Sequence, residues 1–350
     1  MRSHRGRGYS GVSTAWNLGQ ERGAEMERRS VVVVGSHVQG LFMRVKRFPT
    51  ADETVLGWDY REALDGGKGS HQAIACGRLG LPTSFVGRVG KDRLGERGAQ
   101  WMREAGVDLT YLGWSETTAT GCGFVMINPG GVPAITTAMG ANEEFSPADV
   151  DRAAPALAQA GIVLVTFEIP AATALYAVRR AKELGAFTIL TPGPAEPLPK
   201  ESLKGLDLLV PNQTEGGVLM GLGSRDRIPP SELARQLQNY FGVPQVVITL
   251  GQEGALVADG AEQQMVPAYE VEVLDTPGAG DAFTAGLAFG LMAGVPLAEA
   301  ARFGCLTAAR AITIRESVPG FGTFAEIQEF AAAHGFDISP RLVGAKRISG

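Results

Sequence analysis

The segment with the clearest chemical content covers residues 275–283 and reads Asp-Thr-Pro-Gly-Ala-Gly-Asp-Ala-Phe. It lies between a strand-like run, residues 269–274, and an apolar, alanine-rich helical stretch. Small residues let the backbone approach a ligand closely. The N–H groups of Gly278, Ala279 and Gly280 would lie at a helix N-terminus, where the helix dipole also favours an anion. The segment therefore predicts a phosphate-binding loop.

Asp281 stands at the start of the helix behind this loop. An aspartate in such a position is ordinarily a helix cap, but beside an anion-binding loop it is also placed for catalysis. A kinase acting on an alcohol needs a carboxylate to accept the hydroxyl proton, a clamp for the phosphoryl group and a cavity that excludes water. The chain has no GxxxxGK[ST] phosphate loop, so residues 275–283 would supply the clamp. We predict that Asp281 is a general base.

From Val31 onward, short β-branched runs alternate with Ala/Leu/Glu/Arg segments at helical spacing. This alternation is typical of βα units on a doubly wound parallel sheet. The predicted strands cover residues 31–34, 84–86, 162–167, 187–190, 207–210 and 245–249. The predicted helices cover residues 72–79, 95–104, 172–184, 231–240 and 282–292.

Two segments, about 42–64 and 120–137, break the alternation with extended stretches and the turn signal at residues 128–131. They predict a small β-layer apart from the main sheet. A β-layer over a cleft can act as a lid that excludes water during group transfer. We therefore expect a three-layer α/β/α fold with a small β lid, in one domain covering residues 26–345.

The composition favours a globular protein with a small-molecule substrate. The chain has 350 residues, 45% of them apolar, and a formal net charge of -5, which gives no basic field for nucleic acid. Three scattered cysteines, Cys76, Cys122 and Cys305, predict neither a disulfide framework nor a zinc site and favour the cytoplasm. The longest uncharged apolar stretch, residues 283–298, falls short of the roughly 20 residues of a membrane span.

The first 25 residues are rich in Arg, Gly and Ser and lack the apolar block of a secretory signal. We expect a disordered leader. Two alternatives stay open. Translation could begin at Met26, five residues before Val31, or the leader could be a transit peptide, which Glu21 and Glu25 weaken.

From about residue 31 to about residue 327 the chain resembles the ribokinase (PfkB) family of carbohydrate kinases. Two signatures match in order: Gly-Gly-Lys-Gly at residues 66–69, and the segment at 275–283. The resemblance implies ATP-dependent phosphorylation of a hydroxymethyl group on a sugar or sugar-like substrate, with Asp281 as the base. It also implies that the N–H groups of Gly278, Ala279 and Gly280 form the anion hole for the γ-phosphate.

The resemblance further implies a nucleotide site. Asn212 and Glu215 match an NxxE element that helps to place Mg²⁺ and the phosphates, largely through water, although a turn with a helix cap is the alternative. Thr249, Gly251 and Gly254 match the nucleotide-binding strand end and turn, for which a plain tight turn is the alternative. ATP and Mg²⁺ are thus implied.

Ribokinase-like enzymes often hold a monovalent cation beside the anion hole, so the resemblance implies a K⁺ site here. The matching groups here are the Asp275 carboxylate and carbonyls near Pro277, Ile312, Arg315 and Ser317. Carbonyl ligands depend on backbone shape, so these residue types test the implied site poorly. The K⁺ site is left open.

On the acceptor side, Gly66, Gly67, Lys68 and Glu168 match sugar-contacting positions, which implies polyol binding. Val38 and Gly40, after the first strand, replace an Asn and an Asp that grip sugar hydroxyls in ribokinase, and His71 replaces a further Asn. A site built to bind hydroxyls discriminates strongly between acceptors, so ribose is a doubtful substrate. His71 either contacts the acceptor or caps the helix from residue 72.

Three other functions are weighed against this one. A nucleoside kinase of the same family would need an apolar wall, for which Val38, Trp58, Phe124 and Met126 are candidates. A non-catalytic ligand sensor would not need Asp281. A dinucleotide oxidoreductase is disfavoured because no GxGxxG follows the first strand. The resemblance also implies a homodimer that pairs the lid strands.

Overall fold

The computed structural model describes residues 30–130, 133–223, 226 and 228–344. The expected leader, Met26 and Gly131 of the turn signal lie outside these residues. The described strands are β1 (Ser30–Val34), β2 (Val38–Val45), β3 (Gly57–Gly66), β4 (Thr83–Gly90), β5 (Val107–Asp108), β6 (Leu112–Ser115), β7 (Thr120–Ile127), β8 (Pro133–Gly140), β9 (Ala160–Thr166), β10 (Phe187–Thr191), β11 (Leu208–Leu209), β12 (Gln245–Thr249), β13 (Ala255–Asp259) and β14 (Glu262–Val266).

The main sheet has ten strands, with β14-β13-β12-β11-β10-β9-β1-β4-β5 in order and β6 paired to β4. The strands from β12 to β5 are parallel, and β13 and β14 add an antiparallel edge. The order runs outward from β1 in both directions, as in a doubly wound sheet. The carboxyl ends of parallel strands in such a sheet open onto a ligand-binding crevice.

Helices cover both faces of the main sheet. They are α1 (Lys68–Arg78), α2 (Arg93–Glu104), α3 (Pro147–Arg152), α4 (Ala154–Gln159), α5 (Ala171–Glu183), α6 (Gln213–Leu219), α7 (Pro230–Phe241), α8 (Ala279–Met292), α9 (Leu297–Ile312), α10 (Ser317–Gly320), α11 (Phe324–His334) and α12 (Pro340–Gly344). Because strand side chains alternate, Val31 and Val33 pack into the core with α1, α2, α8 and α9, whereas Val32 and Val34 pack with α3, α5 and α7. The predicted three-layer α/β/α fold is confirmed.

The second sheet has four strands in the order β3-β2-β7-β8. The predicted small β-layer is therefore present, but β2 begins at Val38, four residues before the predicted start at 42. Val38 and Gly40 lie within this strand and pair with Gly121 and Gly123, not in a turn. Only three residues separate β1 in the main sheet from β2 in the small sheet.

Near the glycine loop and the Gly-Gly-Lys-Gly signature, two helices begin earlier than predicted and one strand-like run forms no strand. Helix α8 begins at Ala279 and not at residue 282. Helix α1 begins at Lys68 and not at residue 72, because β3 ends at Gly66 and Gly67 is the N-cap of the helix. Residues 269–274 form no strand: the ladder ends with β14, and the Leu274 N–H group bonds to the Ile312 carbonyl at 2.8 Å instead of to a neighbouring strand.

Candidate active site

The glycine loop ends at a helix start that is open to a ligand. Gly278 is the N-cap of α8 with φ +78°, and a Cβ on it would lie 2.8 Å from the Ser317 Cβ. A Cβ on Gly280 would meet nothing within 4 Å, so space lies over the first turn of α8. The first N–H groups of a helix have no partner within it. Here the Ala279 N–H group makes a long bond of 3.3 Å to the Thr276 carbonyl.

Asp281 lies in the first turn of α8 and is 7% exposed. Its Oδ2 atom is 3.1 Å from the His71 Nδ1 atom, and its Oδ1 atom accepts a hydrogen bond from Gln72 Nε2 at 3.0 Å. Gln72 Nε2 also donates to Thr191 Oγ1 at 3.0 Å. Both carboxylate oxygens are thus oriented by α1. His71 lies inside α1, so the alternative that it caps the helix is wrong.

Glu168 is the carboxylate predicted for the acceptor side of the site. Its Oε2 atom accepts hydrogen bonds from Ser36 Oγ at 2.6 Å and from the Lys68 N–H group at 2.7 Å. A Cβ on Gly67 would lie 2.6 Å from Ser36 Oγ and 2.9 Å from Glu168 Oε2, so this position requires glycine. Burial raises the pKa of Glu168 above its ordinary value, although the Ser36 hydroxyl and the Lys68 charge oppose it.

Lys68 lies between Glu168 and Glu215, which are predicted to serve the acceptor and the nucleotide. A Cβ on Gly193 would lie 2.7 Å from Lys68 Cε and would also press on Glu215 Oε1, so the two side chains converge there. Burial alone would lower the pKa of Lys68, but the carboxylates of Asp281, Glu215 and Glu168 raise it above its ordinary value. Lys68 is therefore a positive charge among three carboxylates at neutral pH.

The nucleotide candidates lie together at the ends of β11 and β12. Asn212 forms an isolated bridge with Thr249. Asn212 caps α6 reciprocally with Glu215, through bonds of 2.8 and 2.9 Å, so the helix-cap alternative describes this geometry. Gly251 and Gly254 have φ +60° and +95°, and both therefore occupy backbone conformations that favour glycine.

The candidate cation groups surround the turn before α10. Asp275 Oδ2 accepts the Glu316 N–H group at 3.1 Å, which brings the loop at Pro277 next to Arg315 and Ser317. The implied ligand at Ser317 is a carbonyl, but among the described residues the buried Ser317 Oγ atom also has no hydrogen-bond partner. The Ile312 carbonyl already accepts the Leu274 and Asp275 N–H groups at 2.8 and 3.2 Å, so it fits the set less well.

The small sheet contacts this turn directly. Arg61 on β3 forms an ion pair with Glu316 at 2.6 Å, and its guanidinium lies 5.2 Å from the centre of the Phe42 ring.

The apolar side chains considered as a wall for a nucleobase do not all lie on one face of the small sheet. Phe124 pairs with Leu41 whereas Val38 pairs with Gly121, and alternation puts Phe124 and Val38 on opposite faces.

Sequence reasoning missed four residues of the site: Ser36, Arg61, Gln72 and Thr191. Ser36 carried the only usable signal, since a small polar residue directly after a buried parallel strand lies at the ligand-binding edge.

Over the ranges described, no three His, Cys, Asp or Glu side chains are grouped to hold a metal ion. No helix in the same part of the chain is long and apolar enough to span a bilayer.

An open helix N-terminus lies behind a glycine loop here, with a buried aspartate in its first turn and a small sheet in contact with the loop. This arrangement fits phosphoryl transfer to a small molecule. Residues 28–319 match the pfkB family carbohydrate kinases, and the chain belongs to this family. It is therefore an ATP-dependent carbohydrate kinase.

Known relatives cover between 72% and 87% of the chain. The ribokinase of Haemophilus influenzae is 30% identical over 303 residues, which is 87% of this chain and 98% of that protein. The ribokinase of Staphylococcus aureus is 34% identical over 256 residues, or 72% and 83% of the two chains. The structure of Arabidopsis thaliana ribokinase with ribose and ATP has a TM-score of 0.78 at 29% identity, and covers 86% of this chain and 98% of that one.

Proposed function

We propose that this kinase transfers the γ-phosphoryl group of ATP to a hydroxymethyl group of a sugar, with Asp281 as the general base. The observation that carries the proposal is the first turn of α8. Its open side at Gly280 and its buried carboxylate at Asp281 are adjacent residues, so a phosphate and an acceptor hydroxyl would meet there.

The residues divide the work of the transfer. The acceptor binds against Glu168, and its hydroxyl donates a hydrogen bond to Asp281, which takes the proton as the new O–P bond forms. The N–H groups of Gly278, Ala279 and Gly280 point at the oxygens where negative charge is held in the transition state. Lys68 neutralises part of the same charge and keeps the carboxylates of Asp281 and Glu215 compatible in one cleft.

The residues fit a magnesium nucleotide and leave room for a monovalent cation. Glu215 Oε2 is used in the helix cap, whereas Oε1 faces the cleft near Lys68, which suits contact with a hydrated Mg²⁺. Mg²⁺ bound with ATP would neutralise phosphate charge. For K⁺, the support is the unpartnered Ser317 Oγ atom beside Gly278 and the Asp275 carboxylate.

Ribose is the first acceptor to test, because the relatives named above are ribokinases. The structure supports a different preference. Val38 and Gly40 offer no polar side chain, and both ring nitrogens of His71 are engaged by protein groups. We expect ribose to have a lower kcat/KM than an acceptor with fewer ring hydroxyls or a different arrangement of them.

The small sheet is proposed to act as the lid and as the contact between two copies of the chain. Its exposed apolar side chains support a dimer, since Leu56, Tyr60 and Ile135 are 85%, 60% and 64% exposed. Light scattering on a sizing column tests this, and a monomer that persists when the protein is concentrated would contradict it.

The free thiols Cys76, Cys122 and Cys305 fit the reducing cytoplasm.

The decisive experiment measures ATP consumption with Mg²⁺ and K⁺ against pentoses, deoxypentoses, hexoses, polyols, sugar acids and nucleosides. Asp281→Asn, which keeps the shape of the side chain, should lower kcat about 10²- to 10⁴-fold, the usual contribution of a general base. ATP binding should persist in that variant. Wild-type turnover by Asp281→Asn would refute the role of the base. A nucleoside as the best acceptor would refute the sugar assignment.

A further inference from the structure

His71 is held on both sides of its ring. The Gly66 N–H group donates to its Nε2 atom at 2.7 Å, so in the neutral ring the proton is assigned to Nδ1. Nδ1 then donates to Asp281 Oδ2 at 3.1 Å. The Phe321 ring meets the imidazole edge-on with the centroids 5.4 Å apart, which fixes the ring plane. His71 is 7% exposed, so this geometry is kept away from bulk water.

The sequence spacing explains why α1 serves Asp281. Lys68, His71 and Gln72 are at positions i, i+3 and i+4, which share one face of a helix. Gln72 donates to the other carboxylate oxygen at 3.0 Å, and Lys68 supplies positive charge. A carboxylate has about four acceptor sites on its two oxygens, so these bonds leave room for an acceptor hydroxyl.

We propose that His71 is a positioning residue that locks the Asp281 carboxylate against α1, and that it is not a ligand of the sugar. The proposal rests on Asp281 being the base. The geometry separates the two roles, because a ring with one nitrogen bonded to Gly66 and the other to Asp281 has no nitrogen left for a sugar hydroxyl. A carboxylate that rotates freely would spend part of its time turned away from the hydroxyl it must deprotonate.

Three substitutions at His71 separate positioning from substrate contact. An Asn amide reaches about as far as Nδ1, whereas a Gln amide reaches about as far as Nε2. We expect His71→Ala to lower kcat about 10- to 100-fold while the KM for ATP changes less than about threefold. His71→Asn should recover kcat to within about threefold of the wild type, and His71→Gln should stay as low as His71→Ala.

A spectroscopic measurement tests the contact without relying on turnover. The chain has 4 histidines, so ¹⁵N-histidine labelling gives few signals. We expect the His71 signal to be that of a neutral imidazole protonated on Nδ1. The variants assign this signal, which should be absent in His71→Asn and shifted in Asp281→Asn, whereas His334, whose Nδ1 atom lies 2.8 Å from the Phe330 carbonyl, should keep its own Nδ1 proton in both. This result stands whether or not Asp281 is the base.

The outcomes are distinguishable. Full activity in Asp281→Asn defeats the proposed function, whatever the spectrum shows. Loss of activity in Asp281→Asn, together with a His71→Ala variant that keeps kcat and raises only the acceptor KM, leaves the base in place and overturns the positioning role. A wild-type spectrum in which the His71 proton lies on Nε2 also overturns it, with the His71 signal assigned by its absence in His71→Asn.

Discussion

The open space above Gly280 yields a test of the anion hole that does not depend on charge. In Gly280→Ala the new Cβ would meet no protein atom within 4 Å, and the backbone is already helical. Alanine is favoured over glycine in a helix by up to about 1 kcal/mol, so folding should not suffer. The methyl group would instead stand where a phosphate oxygen must come within about 3 Å of the loop N–H groups.

The expected loss is large because one blocked donor affects the transition state. Removing a single oxyanion donor typically costs about 10²- to 10³-fold in kcat, or about 2.7–4 kcal/mol. We therefore expect Gly280→Ala to lose at least about 10²-fold in kcat, with a melting temperature equal to or slightly above that of the wild type. Differential scanning fluorimetry and an ATP-consumption assay on the same preparation measure both quantities.

Gly278→Ala is the matched comparison for stability only, with the same chemical change two residues earlier. Its φ of +78° costs an L-residue about 1–2 kcal/mol, and the 2.8 Å approach to Ser317 Cβ forces a further shift. At about 2–4 °C per kcal/mol, its melting temperature should fall by several degrees. If Gly280→Ala keeps the wild-type kcat and the wild-type KM for ATP, the space above α8 is not the phosphate site and our assignment of the loop is wrong.

Three further predictions concern the surroundings of the site. Gly254→Ala should destabilise the protein by about 2 kcal/mol or more in thermal unfolding, because φ is +95° and the Cβ would lie 2.5 Å from Ala268 N. Burial raises the pKa of Glu168 above 4.5 in the folded protein, so the folded state favours the protonated carboxyl group. The stabilisation that this gives is fully present below pH 4.5 and is lost as pH rises through the raised pKa. Melting temperatures between pH 4.5 and 7.5 should therefore fall less in Glu168→Gln than in the wild type, and parallel curves would contradict this. Arg61→Ala breaks the partly exposed ion pair with Glu316, which is worth at most about 1 kcal/mol, so the melting temperature should change little. The acceptor KM should rise if the pair helps to close the lid, and an unchanged KM would exclude that role.

The sequence predicts the main sheet well where local pattern and burial agree. The strand at residues 245–249 was predicted with its observed bounds, because a β-branched run ended by a glycine turn leaves little choice. The residue types alone also predict an anion-binding loop with Asp281 behind it, since closely spaced glycines before an apolar helix are typical of anion sites. The structure puts Asp281 in the first turn of α8, and its role as a base stays a prediction. The fold class needed no more than this alternation.

The errors arise where hydrogen-bond partners decide the structure. Residues 269–274 have a strand-like pattern, yet Leu274 is 55% exposed and its N–H group bonds to Ile312, so no strand forms. The contacts of His71 could not be predicted, because its partner Asp281 is 210 positions away in the sequence. A contact between α1 and α8 exists only in the folded chain.

The three-residue connection between β1 and β2 joins the two sheets at the acceptor site. Ser36 is its middle residue and bonds to Glu168, while the next residue, His37, is held by Asn142 through bonds of 3.0 and 2.8 Å. If the small sheet moves as the proposed lid, so short a connection would carry the movement to Ser36 and to the Glu168 carboxylate that it holds. Under the proposed function, acceptor binding and exclusion of water would then be coupled. A lid without an acceptor would open more readily, which would protect ATP from transfer to water.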